Sequence, residues 1–418
     1  MKVVIITYYW PPAGGSGVQR WLYFVKYLRD YGIEPIIFTV QDANYPILDD
    51  ALMEQIPERV EVIKNKIWEP NKLFKKKSTK TSAGFLQQKP SLNQRILHYI
   101  RANYFIPDAR KFWVNSSVRK LNNYLKTNPV DWIITTGPPH SVHLIGKKLH
   151  QKTQIKWLAD FRDPWTKIDY FHQLPLTKGS LKKHRRLEAS VVSEATKVTV
   201  VGNEMQRDFL KFNKHCQVIT NGYDGAVVKV LDLDEKFTLT HIGMLNADRN
   251  PYIFWEALRE IIDENETFES LVQVNLVGKI ADEVKMTIRK FDLEKYINYG
   301  SYIPHHAVQQ FQAKSQVLLL FVNKVPSAKG IITGKVFEYL QAKRPILAIA
   351  PTDGDLADII RETQSGKVLD FEDKEALKEQ ILHFFKSYES GNLHIESVAI
   401  DKYSRKNLTG ELAKLLKK

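Results

Sequence analysis

Residues able to do chemistry gather most densely in one stretch, Gly330-Ile331-Ile332-Thr333-Gly334-Lys335-Val336-Phe337-Glu338-Tyr339-Leu340. Gly330, Thr333 and Gly334 make a loop whose backbone N–H groups can approach an anion, and Lys335 adds a cation in the first turn of the helix that follows. Glu338, one turn further on, is suited to accept hydrogen bonds from sugar hydroxyls. The spacing predicts a nucleotide site at a helix N-terminus. The plainer alternative is a glycine-rich loop before a core helix, with Glu338 merely favourable near the helix dipole.

Other candidates fall at similar places. Gly14-Gly15-Ser16-Gly17 follows the first apolar run, where backbone can come close to a sugar or phosphate; a tight turn is the alternative. GGSG is not GxGxxG, and no acidic residue closes the next strand in a ribose-binding position, so dinucleotide binding is not expected. His140 lies in the exit loop of the strand Asp131 to Thr135, where open parallel sheets bind ligands, although a lone histidine can equally be structural. The strand beginning at Trp157 ends in Asp160, Arg162 and Asp163, which either serve that same edge or simply pair with one another. In the second half, Gly243 and Arg249 follow the strand Phe237 to Ile242, and Gly278 follows Leu271 to Val277. Asp232 and Asp234 resemble a metal pair but lie in an acidic connector with no further ligand nearby.

These candidates need strands and helices to hold them, and the pattern supplies both. Apolar runs at Lys2 to Tyr8, Glu34 to Val40, Lys197 to Val201, Ile297 to Ser301, Val317 to Val322 and Ile346 to Ala350 read as buried strands between helical segments, the alternation of parallel α/β sheets. A length of 418 residues suits two domains. The expected division is an N-terminal Rossmann-like domain over 1–226, a linker over 227–236, a second such domain over 237–395, and a closing helix within 396–418 that packs back on the first domain. A single cysteine, Cys216, excludes a disulfide framework and fits a reducing cytoplasm. The first residues read as a strand rather than a signal peptide, and no run is long enough to span a bilayer.

A net charge of +14 suits nucleic acid, an anionic membrane face or a phosphorylated ligand. Much of it lies where basic and aromatic residues interleave, from Lys72-Leu73-Phe74-Lys75-Lys76-Lys77 and Lys80 to the segment Arg95 to Phe105. This fits an amphipathic surface on anionic lipid better than nucleic acid, since no nucleic-acid motif accompanies the charge. The alternative is a helix whose Ile, Leu and Tyr face the core.

GGSG after the first strand, VITNGYD ending the first half, HIGMLNADRN opening the second and GKVFEYLQAKRPILAI near its end together resemble the retaining glycosyltransferases of family 4, over nearly the whole chain. The resemblance implies an α/β GT-B fold, two doubly wound Rossmann-like domains facing across a cleft. It implies a nucleotide-sugar donor on the C-terminal domain, an acceptor on the N-terminal one, and no essential metal or other cofactor. Glu338 matches the second glutamate of the family's paired motif, which holds the donor ribose, while Gly330 stands where the first glutamate would be. Met244 and Arg249 stand at the two places of the family's phosphate clamp, so that Arg249, Lys335 and the Thr333-Gly334 backbone are left to hold the diphosphate. Asn221, Gly222 and Asp224 match a hinge element, Asp163 matches an Arg-Asp element, and His140 resembles a cleft histidine.

The expected function is therefore a metal-independent hexosyltransferase of cell-surface polysaccharide synthesis, in the cytoplasm and peripheral at the inner membrane. Its expected partners are a nucleotide sugar, a glycan or lipid-linked acceptor and an anionic membrane surface, with no nucleic acid. Arg249, Lys335, His140 and Asp163 are the expected catalytic groups. Gly243, Gly278, Thr333, Gly334 and Glu338 serve the donor; Gly14, Gly15, Ser16, Gly17, Asp160 and Arg162 serve the acceptor. A sugar-nucleotide epimerase of the same fold, or a non-catalytic nucleotide-sugar or glycan-binding protein, are the alternatives.

Overall fold

Short apolar runs bounded by glycine, proline and polar turns become parallel strands when helices cover both faces of the sheet they join. The computed structural model describes residues 1–43, 45–68, 92–225, 232–300 and 305–418. The basic run Lys72 to Lys77 with Lys80, residues 227–231 of the expected linker, and Ser301 lie outside the described residues.

The chain divides into two compact units, Met1–Asn221 with Arg405–Lys418, and Gly222–Ser404. The first carries β1 (Lys2–Ile6), β2 (Glu34–Gln41), β3 (Glu61–Lys66), β4 (Trp132–Gly137), β5 (Lys156–Phe161), β6 (Lys197–Val200) and β7 (Cys216–Val218). They form one sheet in the order β3-β2-β1-β4-β5-β6-β7. The second unit carries β8 (Phe237–Ile242), β9 (Val272–Val277), β10 (Ile297–Gly300), β11 (Val317–Phe321), β12 (Ile346–Ile349) and β13 (Gly366–Leu369), in the order β10-β9-β8-β11-β12-β13. Every pairing of these strands is parallel, with Val4 opposite Ile36 and Ile133, and Leu318 opposite Ile346 and Thr240.

Each sheet therefore reverses its strand order once, between β1 and β4 in the first unit and between β8 and β11 in the second. Loops leaving the two strands at such a point diverge to opposite faces and leave a crevice at the strands' carboxyl ends. The candidate residues fall on the loops after β1, β4, β5, β8 and β9, on the loop before the helix Lys335–Ala342 and in that helix's first turn, except Asp160, which lies within β5.

The first sheet has core on both faces. One layer contains Ile133, Trp157, Phe161 and Val198; the other contains Val3, Ile5, Trp21, Leu22 and Trp132. The helix Arg405–Lys417 belongs to this second layer through Leu408, Leu412 and Leu416, and the Leu416 carbonyl accepts the indole N–H of Trp132 at 3.0 Å. Among the described residues no helix is long and apolar enough to cross a membrane.

Candidate functional site

In the second unit the donor candidates converge on the point of strand reversal. Gly243 leaves β8 at φ +118, a conformation open to glycine, and a Cβ there would lie 2.8 Å from Lys335 Cε. A Cβ on Gly278, after β9, would lie 2.8 Å from the Gly243 carbonyl oxygen. Three loops thus meet with no room for side chains between them, and Lys335 is laid across the end of β8. Its Nζ is 3.0 Å from Nε2 of His241, a fully buried residue of β8 stacked on Phe321 with ring centroids 5.3 Å apart. His241 Nδ1 is 3.2 Å from the Leu319 carbonyl, which can only accept, so Nδ1 carries the proton and Nε2 presents a lone pair to the ammonium. Burial, reinforced by Lys335, keeps this imidazole neutral by holding its pKa well below the ordinary value.

Lys335 is in turn pushed down to about 7, by burial first, then by the charge of Arg249, with Glu338 opposing. Arg249 approaches from the short helix Ala247–Arg249, its Nε donating to Asn323 Oδ1 at 2.9 Å. Glu338, half-buried, accepts from Gln312 Nε2 at 3.1 Å. Thr333 Oγ1 and Asn246 Oδ1, on two of the converging loops, are buried without a hydrogen-bond partner among the described residues. Buried polar atoms of this kind call for a partner. A cation hydrogen-bonded to a neutral base, beside a guanidinium and next to unpartnered polar atoms, is a place where an anion with hydroxyls would be stabilised. Met244 is exposed and contributes its carbonyl, to Arg249 Nη1 at 3.4 Å.

Segment Lys324–Lys329 also borders a cavity of about 510 Å³ lined by Val325, Pro326, Ala328, Pro351 and Phe371, with Lys324 and Asp370 also in its wall and Lys329 and Asp353 paired there. Asn323, which holds Arg249, is adjacent to its lining residue Lys324, so the cavity and the cationic pair share one loop.

In the first unit Arg162 organises the crevice. Its Nη1 donates to Gly17 O at 2.6 Å, Nη2 to Pro138 O at 2.6 Å and Nε to Gly137 O at 3.3 Å. The guanidinium thereby ties the loop after β1 to the loop after β4. A Cβ on Gly17 would lie 2.8 Å from Nη1, Gly15 sits at φ +90, and Ser16 opens the helix Ser16–Leu28. A Cβ on Gly14 would strike Ile47 at 2.9 Å, so this glycine is required by packing against the segment Ile47–Asp49. His140 follows in the β4 exit loop. It is 8% exposed and stacked on Trp165, ring centroids 4.9 Å apart, and Nδ1 has no partner among the described residues. Burial and neighbouring His143 and Arg162 keep it neutral; His143, bonded to Thr135 Oγ1 at 2.9 Å, is pushed by burial down to about 3. Asp163 accepts no hydrogen bond among the described residues, and burial raises its carboxyl pKa against the opposing charge of Arg162. A carboxyl so placed holds its proton more readily than an ordinary aspartate does.

Asp160 is not part of this crevice. It is fully buried inside the sheet, and its carboxylate accepts from Arg20 Nη2 at 2.8 Å and Nε at 3.2 Å, Trp21 Nε1 at 2.7 Å, Thr136 Oγ1 at 2.9 Å and Thr199 Oγ1 at 2.8 Å. Burial opposes its ionisation, but Arg20 and these donors win and hold its pKa below the ordinary value. Both oxygens are saturated, so the expected acceptor role gives way to an internal anchor. Arg162 likewise does not pair with Asp160 as the alternative reading had it; its bonds run to backbone carbonyls. Asn221 is drawn into the same anchor, its Oδ1 lying 3.3 Å from Arg20 Nη1.

No protein-family model matches the chain, and no curated protein matches it by sequence. Solved structures match over its whole length. Sucrose-phosphate synthase from Thermosynechococcus elongatus superposes with a TM-score of 0.63 at 12% identity, covering 100% of this chain and 98% of that one. The lipopolysaccharide outer core galactosyltransferase WaaB, in its apo form, gives 0.60 at 11%, covering 100% and 99%. UDP-GlcNAc 2-epimerase from Methanocaldococcus jannaschii gives 0.51 at 10%, covering 100% and 99%. The fold is GT-B.

Within this GT-B chain, the groups that reasoning from sequence passed over are His241, Asn323, Gln312 and Arg20. Three come from other elements or loops, Arg20 and Gln312 from helices and Asn323 from the loop after β11, and carry no local signal. His241 had one: a histidine two residues before a glycine, at the end of a strand whose other residues are apolar or threonine.

Proposed function

We propose that the chain is a retaining glycosyltransferase that transfers a hexose from a nucleotide-sugar donor bound by the second unit to a glycan or lipid-linked acceptor bound by the first, in cell-surface polysaccharide synthesis. The observation that carries this is the Lys335 ammonium, set against neutral His241 beside Arg249 at the strand reversal. Such a pair is a countercharge waiting for a diphosphate. Glu338 would bind the ribose hydroxyls, Thr333 and Gly334 would offer backbone N–H groups, and the cavity lined by Val325, Pro326 and Phe371, with charged Lys324 and Asp370 beside them, would take the base.

In the proposed reaction the acceptor hydroxyl attacks the anomeric carbon on the side from which the nucleotide leaves. The new C–O bond forms as the bond to phosphate breaks, and the electron pair passes to the departing phosphate oxygen. Lys335 and Arg249 stabilise that developing charge, so the proposal assigns no step to a metal ion. His140 or Asp163 positions the acceptor hydroxyl, whose proton ends on the departing phosphate. Gly330 offers no carboxylate to the donor sugar, so sugar recognition must come from other groups.

Incubation with nucleotide sugars and candidate glycan acceptors tests the reading. Release of nucleoside diphosphate that requires both substrates, with the anomeric configuration kept, is the expected result. Tight donor binding without turnover for any acceptor would refute transfer. The shared fold of UDP-GlcNAc 2-epimerase supports a second reading, epimerisation, recognised by conversion of a nucleotide sugar with no acceptor present.

A further inference from the structure

The helix Leu92–Tyr104 turns its apolar side to solvent. Ile96, Leu97, Tyr99, Ile100 and Tyr104 are between 39% and 66% exposed, whereas an amphipathic helix of a folded domain normally buries such a stripe. The core-facing alternative for this segment is thereby overturned. At 100° per residue Ile96, Ile100 and Tyr104 form one strip with Leu97 beside it, and exposed Arg95 and Arg101 border the strip on either side.

The helix is fastened at its C-terminal end. Asn103 Nδ2 donates to the Pro175 carbonyl at 2.8 Å, and Asn103 Oδ1 accepts from the Thr177 N–H at 2.8 Å. Thr177 is the N-cap of the helix Lys178–Glu194, whose first nine residues carry exposed Lys178, Lys182, Lys183, Arg185 and Arg186 and no acidic residue. Leu92–Tyr104 has no acidic residue either. An exposed aliphatic strip is thus joined directly to a purely cationic turn.

We propose that this face docks on an anionic lipid bilayer, with the Ile96, Ile100 and Tyr104 strip entering the headgroup–acyl boundary and Arg95, Arg101 and the basic turn at Lys182–Arg186 engaging lipid phosphates. Chemistry selects the occupant. Aliphatic side chains gain nothing on a nucleic-acid backbone but are stabilised at the acyl boundary, and a second copy of the chain would bring the same uncompensated positive charge to the contact. Arginines flanking an apolar strip suit an interface where their stems lie in the apolar layer and their heads among phosphates. The inference stands apart from the nucleotide site, since none of these residues belongs to it.

The test is co-sedimentation of the full chain with vesicles of phosphatidylcholine alone or phosphatidylcholine mixed with phosphatidylglycerol. Binding to the anionic vesicles only is expected, falling tenfold or more both in an Ile96→Ser, Ile100→Ser, Tyr104→Ser variant and in an Arg95→Glu, Arg101→Glu variant. Both variants change exposed side chains and should keep the wild-type melting temperature and nucleotide-sugar affinity. Equal binding to neutral vesicles, unchanged binding by either variant, or a concentration-dependent dimer that the triple variant abolishes would overturn the proposal.

Discussion

Donor binding should take up a proton, and the amount follows from Lys335. In the free protein its ammonium titrates at about 7, so about half the molecules carry the charge at neutral pH and about a tenth at pH 8. A bound diphosphate supplies the countercharge that Arg249 and burial deny, and restores an ordinary lysine pKa. Affinity should then fall about 25-fold between roughly pH 6.5 and 8.5, with close to one proton absorbed per ligand at about pH 8. Other groups facing the ammonium do not mimic this slope, because His241 is held neutral by burial and the Arg249 guanidinium stays charged. The displacement from 10.5 to about 7 is worth on the order of 5 kcal/mol, carried as a penalty by the free protein. Because the folded pKa lies below the unfolded one, that penalty is fully present below pH 7 and fades as pH rises toward 10.5, so the free protein gains stability over this window. Calorimetric titration of a nucleotide sugar in buffers of different ionisation enthalpy measures the uptake directly. Lys335→Arg, always charged, should bind without the pH slope. A wild-type affinity that is flat across this range, or an uptake near zero, would refute the reasoning.

Glu338→Ala should weaken a nucleotide sugar about 10- to 100-fold through lost charge-assisted bonds to the ribose, yet leave inorganic pyrophosphate binding unchanged in competition titrations. Gly243→Ala, forced to φ +118 and against Lys335, should cost more than about 1 kcal/mol in urea unfolding and weaken the donor as the ammonium is displaced. Asp160→Asn leaves Arg20 buried without its countercharge, and should destabilise by about 3–5 kcal/mol while leaving donor affinity untouched.

The strand alternation and the loops that carry chemistry were legible in the sequence because each is a local pattern. The apolar run from Phe237 to Ile242 and the glycine after it announce β8 and its exit loop without reference to anything else. Two strands escaped. β3 and β13 lie at sheet edges, where Glu61, Lys64 and Lys66, or the short Gly366–Leu369, can face water and lack the apolar run that marks an interior strand. Asp160 misled for a different reason. Its sequence neighbours Arg162 and Asp163 suggested one polar cluster, but its partner is Arg20, 140 residues earlier. The use of Lys335 was half legible: its helix-start position was visible, but the imidazole that orients it comes from β8, 94 residues away. The solvent-facing turn of Leu92–Tyr104 could not be read at all, since the same spacing of Ile, Leu and Tyr serves a buried or an exposed stripe.

On the proposed function, the strand reversal of the second unit holds the diphosphate of a nucleotide sugar. Calorimetric titration of nucleotide sugars into the wild type, Arg249→Ala and Lys335→Ala measures it most directly. Binding of one nucleoside class by the wild type, weakened at least tenfold by each substitution with the melting temperature retained, is the result expected. Undiminished affinity in both variants, or no binding of any nucleotide sugar by the wild type, would contradict it.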